Sequence, residues 1–169
     1  MRSRIGTFFE VGIRLEKTME DGSSKKVTEK YAVDAMSFTE AESVITKKLS
    51  DRISGDFEIK SEAQAAYREI SFSEKEGESK WYKAKVLFIT LDEKTEREKR
   101  TVVTYLVQGS SMRSALTNIE QMFVTVMFGH EVIALQETKI IEVFFHDVEI
   151  PNVEILDPEW DEKSINKEE

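Results

Sequence analysis

The spacing of apolar residues follows the same course twice along the chain. Apolar residues alternate with polar ones from Phe9 to Leu15, and again in the segment KWYKAKVLFI that begins at Lys80. Alternation of this kind predicts β-strands with one buried face. Each segment is followed by a second strand-like stretch, VTEKYAVDA in the first half and TVVTYLVQG in the second. We expect each pair of strands to form a hairpin.

A helix is predicted after each hairpin. Ser37 and Glu40 have the spacing of a capping box, and apolar residues then recur with helical period at Ala41, Val44, Ile45 and Leu49, and in the second half at Ala115, Ile119, Met122, Phe123 and Val126. Gly55 and Gly129 follow the helices, where a left-handed cap favours glycine. An extended segment, interrupted in its middle, closes each half. Each half is therefore predicted to be a β-β-α-β unit.

The two units align with an offset of 73 to 74 residues, which matches Tyr31 with Tyr105 and Ile59 with Ile133. We interpret this as a tandem duplication, residues 8–72 and 81–146, with a linker at 73–80. The alternative is chance similarity between amphipathic segments. The predicted fold is α+β: antiparallel sheets, each covered by a helix, related by a pseudo-twofold axis in one domain spanning residues 1–146.

The amino-acid composition of the chain excludes several kinds of binding site and partner. The 169-residue chain has no cysteine, which excludes disulfides and cysteine-based metal sites and fits a reducing cytoplasm. No apolar run is long enough for a membrane span, so no membrane partner is expected. The net charge of -9 is uneven, because residues 147–169 carry -7 and residues 1–146 carry only -2. The body of the protein is thus close to neutral, and the acid is concentrated in a C-terminal tail.

Catalytic signatures are missing from the sequence. The two histidines, His130 and His146, have no neighbours at the spacing of a triad or a metal site, and no phosphate-loop, dinucleotide or hydrolase motif occurs. We therefore expect a protein without enzymatic activity, cofactor or metal.

Aromatic and basic residues suggest a binding site. Trp81, Lys83 and Lys85 share one face of their strand, and Phe8 and Arg14 share the corresponding face in the first half. Aromatic rings that stack bases, combined with cations that contact phosphates, are typical of proteins that bind single-stranded nucleic acid. The alternative is that this face packs against the other sheet or a second subunit, which would bury Phe8 and Trp81.

The acidic tail, residues 147–169, has two interpretations. Its segment DPEWDEKSINKEE includes Asp157, Glu159, Trp160, Asp161 and Glu162. These residues could occupy a cationic groove of the protein until nucleic acid displaces them, or could recruit replication proteins. The alternative is a disordered segment that keeps the protein soluble.

The runs KKVTEKYAVDAMSFTEAESVI and GHEVIALQETKIIEVFF resemble an uncharacterised family of small proteins from gut Bacteroidetes-type bacteria and their phages. The resemblance covers most of residues 8–146 and implies a phage context without assigning catalytic residues. A weaker architectural similarity is to single-strand-binding folds of the coactivator and whirly kind. The expected function is binding of single-stranded DNA or RNA in phage replication or recombination, with homo-oligomerisation left open. The alternative is a protein-interaction module, a structural or inhibitory phage protein that does not bind nucleic acid.

Overall fold

A computed structural model describes residues 2–146, which form nine strands and two helices. In chain order these are β1 (Arg2–Ile5), β2 (Phe8–Thr18), β3 (Ser24–Asp34), α1 (Phe38–Ser50), β4 (Phe57–Gln64), β5 (Glu69–Phe72), β6 (Lys80–Leu91), β7 (Glu98–Gly109), α2 (Met112–Met122), β8 (Gly129–Glu137) and β9 (Ile140–Phe144). The α+β class expected from the sequence is confirmed.

The strands form two sheets that exchange their last strands. Sheet I has the order β4-β2-β3-β9, and sheet II has the order β1-β5-β7-β6-β8. Strand β5 from the first half therefore lies in sheet II, and β9 from the second half lies in sheet I. Both exchanged strands pair in parallel, β5 with β7 and β9 with β3, whereas the other pairs are antiparallel. Leaving out β1, the two sheets have corresponding strand orders.

Each helix begins at a serine cap and covers the outer side of its own sheet. The Ser37 hydroxyl accepts a hydrogen bond from the Glu40 N–H at 3.2 Å, and the Glu40 carboxylate accepts one from the Met36 N–H at 2.6 Å. Ser111 caps α2 in the same way. On α1 the buried residues Ala41, Ile45 and Leu49 pack against sheet I, and α2 packs on sheet II through Ala115 and Ile119. The helical periodicity therefore predicted both contact faces.

A third cluster of buried residues joins the two sheets on the sides that face away from the helices. Its members come from both halves: Phe8, Ala32, Tyr67, Ile70, Trp81, Leu106, Ile140 and Val143. Because the exchanged strands contribute Ile70 and Val143, the same residues that complete each sheet also hold the sheets together.

The structure differs from the sequence prediction in four respects. Strand β1 was not expected, and neither was the exchange of β5 and β9. Helix α1 ends at an Asp51 cap and Gly129 begins β8, so the prediction that Gly55 and Gly129 cap the helices is wrong. The predicted match of Ile59 with Ile133 is wrong by one residue. Ile59 pairs with Ile13, and Val132 pairs with Val86 at the equivalent place, so Ile59 corresponds to Val132 and the offset is 73. A common origin of the two halves remains a hypothesis.

Candidate interaction surface

Phe8 and Trp81 are buried between the sheets, so the expectation that they lie on an exposed face is wrong. Their side chains are 1% and 4% exposed. The Phe8 ring lies 5.9 Å from the Tyr67 ring, and the Trp81 ring makes an edge contact with Phe72 at 5.6 Å, measured between centroids. The physical reason is that the sheets pack together at these ends of β2 and β6, as the alternative interpretation required. Neither ring is available for a base to stack on.

Lys83 is held in an ion pair beside these rings. Its Nζ lies 2.5 Å from Oε1 of Glu10, whose other oxygen is 3.6 Å from the Lys30 Nζ. The Glu10 side chain is only 12% exposed. Tyr67 lies next to the pair, and burial raises the pKa of its phenol, with the Glu10 carboxylate adding to the effect. Lys83 therefore has a structural partner at the sheet interface.

Arg14 and Lys85 are exposed, but they lie on different sheets. The five residues predicted to bind nucleic acid thus do not form one surface: two are buried, one is in an ion pair, and two are solvated apart from each other. The tail residues predicted to contact partners, Asp157, Glu159, Trp160, Asp161 and Glu162, lie outside the described residues.

A different surface of β6 and β7 is left uncovered. We call it the distal face of sheet II and define it by Leu87, Ile89, Leu91 and Val102. The first three alternate along β6 on the same side as Trp81, and Val102 pairs with Leu87 across the strands. Leu91 and Val102 are 65% and 51% exposed, whereas Leu87 and Ile89 are half-buried. Among residues 2–146, none of these four side chains packs against the three buried clusters.

The first half has polar residues at the corresponding positions. Strand pairing aligns Arg14 and Thr28 with Leu87 and Val102, because each couple forms a directly opposed pair in its own hairpin. Along β2, Glu16 and Thr18 stand where β6 has Ile89 and Leu91. We call these four residues, Arg14, Glu16, Thr18 and Thr28, the distal face of sheet I. They form an ordinary solvated surface. The apolar residues of sheet II are therefore not needed for this part of the fold.

Charges of both signs surround the distal face of sheet II. Lys85 lies on the same side of β6, Arg100 is opposite Ile89, and Glu131 of β8 is opposite Leu87. Arg100 also lies 3.7 Å from Glu98. A flat apolar centre with a mixed, nearly neutral rim is the composition found at protein-protein contacts. It differs from the one-signed field that a polyanion would favour.

A second feature combines cations with aromatic rings. A groove of about 540 Å³ is lined by Arg2, Ser3, Arg4, Phe72, Ser73, Glu74 and Phe145. The Arg4 guanidinium stacks over the Phe145 ring at 3.9 Å and also contacts Asp34 at 3.4 Å. Burial raises the pKa of Asp34, and the charges of His146 and Arg4 oppose this shift. Within residues 2–146 no cluster of acidic and histidine side chains could hold a metal ion.

Sequence reasoning missed both surfaces, but a signal for the first was present. A position-by-position comparison of the halves shows leucine, isoleucine and valine replacing arginine, glutamate and threonine on one side of the hairpin. The groove had no such signal, because β1 and the residues around Phe145 come together only through the exchange of the last strands.

Comparison with known proteins identifies a family. The family described as "Domain of unknown function (DUF4494)" matches residues 7–146. No curated protein and no solved structure matches the chain. In residues 2–146 we also find no helix with the length and apolarity required to cross a membrane.

Proposed function

The chain belongs to the DUF4494 family, and we propose that it is a non-enzymatic protein-interaction module whose contact surface is the distal face of sheet II. The observation that carries the proposal is the replacement of Arg14 and Thr28 by apolar residues at equivalent positions, the half-buried Leu87 and the exposed Val102. Exposed apolar residues clustered on one side of a sheet favour association, whereas the first half folds without them. The partner is a protein with a flat apolar surface and a mixed-charge rim.

Binding of single-stranded nucleic acid is the second candidate. It is favoured by the groove in which Arg2 and Arg4 lie beside Phe72 and Phe145, because guanidinium groups and aromatic rings are what bind phosphates and bases in such sites. We place it second because Arg4 already pairs with Asp34 and because Phe8 and Trp81 are buried. With either function, we also propose that the protein is cytoplasmic and comes from gut Bacteroidetes-type bacteria or their phages.

The interaction proposal is tested by replacing two residues on the distal face of sheet II with the residues found at the equivalent positions of sheet I. In the variant Leu87→Arg/Val102→Thr, the distal face of sheet II receives the residues of the distal face of sheet I. Immobilised full-length protein and this variant are incubated with host lysate, and Arg14→Gln serves as the matched control. We expect at least one protein to be captured by the wild type and by Arg14→Gln but lost with the double variant. Its binding is then measured by calorimetry with purified components.

Binding of a single-stranded oligonucleotide of about 20 nucleotides tests the second candidate function. Under the interaction proposal its fluorescence anisotropy does not change when protein is added at moderate salt. Salt-sensitive binding that is lost in Arg2→Gln/Arg4→Gln would favour the second candidate and overturn the first. Failure of any captured protein to distinguish the distal-face variant from its control would also overturn the interaction proposal.

A further inference from the structure

The segment that follows each exchanged strand leads to a groove beside a helix. Strand β5 pairs in parallel with β7, and β9 pairs in parallel with β3. Ser71 and Phe144 have equivalent partners in these pairings, so Ser73 and His146, two residues further on, are equivalent as well. Each of them lines a groove beside the helix of its own sheet. The two grooves can therefore be compared position by position.

In sheet II the chain after Ser73 packs along α2. The α2 groove, about 110 Å³ in volume, is lined by Ser73, Glu74, Lys75, Asn118 and Gln121. Beside it, the Glu78 carboxylate accepts hydrogen bonds from the Ser114 hydroxyl and, at 2.8 Å, from the Asn118 amide. The segment that follows the exchanged strand thus forms one side of this groove and is held to the helix.

The α1 groove has the corresponding place in sheet I. It has a volume of about 240 Å³ and is lined by Glu40, Ser43, Val44, Lys47, Lys48 and His146. Counted from the two serine caps, Val44 has the place of Asn118, and Lys47 has the place of Gln121. The chain reaches this groove at His146, the last described residue. Residues 147–152 are the counterparts of residues 74–79 and lie outside the described residues.

The two residues of one contact beside α2 both have apolar counterparts in the other half. Glu78 corresponds to Pro151, and its hydrogen-bond donor Asn118 corresponds to Val44. A carboxylate beside Val44 would lose hydration without gaining a partner, whereas contact between two apolar side chains is favourable. The segment after β9 therefore has the side chain that the α1 groove requires at this position.

Charge also favours contact between the α1 groove and residues 147–152. Lys47 and Lys48 line the groove in the last turn of α1, where α2 has Gln121 and Met122. Residues 147–152 contain two acidic residues and no basic one. Opposite charges attract more strongly where water is partly excluded, as beside the half-buried Lys48. The groove and the segment are thus complementary in charge as well as in apolar contact.

We propose that residues 147–152 of this chain dock in the α1 groove, beside Val44, Lys47 and Lys48. The docked segment prolongs β9 along its helix, as residues 73–78 prolong β5 along α2. It fixes the start of the acidic tail to the helix-covered side of sheet I.

The groove of Arg2 and Arg4 is a second cationic surface beside the end of β9, because Phe145 lines it. Docking along α1 leaves that groove open to a ligand. The inference does not rest on the proposed function of the distal face of sheet II, which other residues form. Occupation of the Arg2 and Arg4 groove by residues 147–152 is the alternative that the experiment must separate.

Hydrogen exchange of the full-length protein, followed by mass spectrometry, tests the proposal. Amides in residues 147–152 should exchange at least about ten times more slowly than in an unstructured chain. Lys47→Gln/Lys48→Met, which introduces the residues of α2, should reduce this protection about threefold or more. Lys25→Gln/Lys26→Met removes two exposed cations of β3 and is the matched control, which should leave the protection unchanged.

A second pair of variants leaves residues 2–146 untouched and decides the outcome if α1 itself loses protection in Lys47→Gln/Lys48→Met. Pro151→Glu places a carboxylate beside Val44 and Glu40 and should abolish the protection of the segment. Pro158→Glu, at the other proline of the chain, is its control and should leave the protection unchanged.

An unprotected segment in the wild type would overturn the proposal. So would protection that survives Pro151→Glu, or protection that survives Lys47→Gln/Lys48→Met while α1 stays intact. Loss of protection in Arg2→Gln/Arg4→Gln would place the segment in the other groove. Protection that rises with protein concentration would mean that residues 147–152 bind a second copy of the chain, and would also overturn the proposal.

Discussion

Lys83 Nζ lies 2.5 Å from Glu10 Oε1, and the two residues occupy the same position in the two halves. Each is the third residue along its unit's first strand, counted from Phe8 or Trp81. The contact therefore joins unlike residues at like positions of the two halves. Two copies of either residue there would place equal charges together in a site where Glu10 is only 12% exposed. The opposite charges of Glu10 and Lys83 make this contact attractive.

The ion pair should contribute measurably to stability. Lys83→Met keeps the aliphatic part of the side chain but leaves Glu10 with only Lys30, 3.6 Å away. We expect a loss of about 1–2 kcal/mol, which is less than for a fully buried pair because Lys83 is one-third exposed. Glu10→Met/Lys83→Met should recover most of the loss. Urea denaturation of both variants measures it, and equal losses in the single and double variants would contradict the assignment.

Trp81 should behave as a core residue. Trp81→Ala should lower the free energy of unfolding by about 3–5 kcal/mol, the usual cost of deleting a buried aromatic side chain. In a Trp160→Phe background, its fluorescence should not be quenched when a single-stranded oligonucleotide is added. Lys85→Gln, at an exposed position of the same strand, is the control and should leave stability unchanged. Quenching of Trp81 fluorescence, together with only a small loss of stability in Trp81→Ala, would show that Trp81 is exposed and would contradict this prediction.

Glu78 should make stability depend on pH. Burial raises the pKa of its carboxyl group, but hydrogen bonds from Ser114, Ser73 and Asn118 outweigh this and lower it overall. The Asn118 amide donates at 2.8 Å. A lowered pKa in the folded state adds stability above the ordinary value of 4.5, and this stability is lost as pH falls toward the folded value.

Glu78→Gln should therefore be less stable than the wild type by about 1–2 kcal/mol at pH 7. The difference should shrink below pH 4.5, since the wild-type carboxylate becomes protonated there. Thermal melts across this range measure the effect. Glu76→Gln, exposed in the same connection, is the control. A difference that stays constant with pH would mean that the carboxylate charge is not involved.

The distal face of sheet II should be dispensable for folding. Leu87→Arg/Val102→Thr should change the free energy of unfolding by no more than about 0.5–1 kcal/mol, because Val102 is half exposed and the first half folds with the substituted residues at these positions. The urea midpoint measures this. A loss of several kcal/mol would show that these side chains are part of the core.

Local patterns predicted the local structure well. Alternation in β6 identified Tyr82, Ala84 and Val86 as the helix-covered side, and the Ser37 cap is present as expected. These features depend on residues close together in sequence, whose spacing is set by strand and helix geometry. The break in each closing segment was also predicted, between β4 and β5 and between β8 and β9.

The features that could not be predicted depend on contacts between residues that are distant in sequence. Whether Trp81 is exposed depends on Phe72 and Leu106, and whether Lys83 is free depends on Glu10. Alternation shows that a strand has two faces, but not whether a second sheet covers the less apolar one. The burial of Phe8 and Trp81 was an open alternative because two aromatic residues at equivalent positions fit a stacking platform and a sheet-to-sheet contact equally well.

The exchange of β5 and β9 sets the order in which the protein can be completed during synthesis. Tyr31 of β3 pairs with Glu142 of β9, so this side of sheet I stays unpaired until almost all of residues 2–146 have left the ribosome. Until then Phe8 and Ala32 lack the cover that Ile140 and Val143 provide. Contacts of such long range form slowly, and a nascent chain paused within the second half would expose both an apolar surface and an open strand. The stretch of translation between β3 and β9 is thus the period in which this protein most needs protection from aggregation.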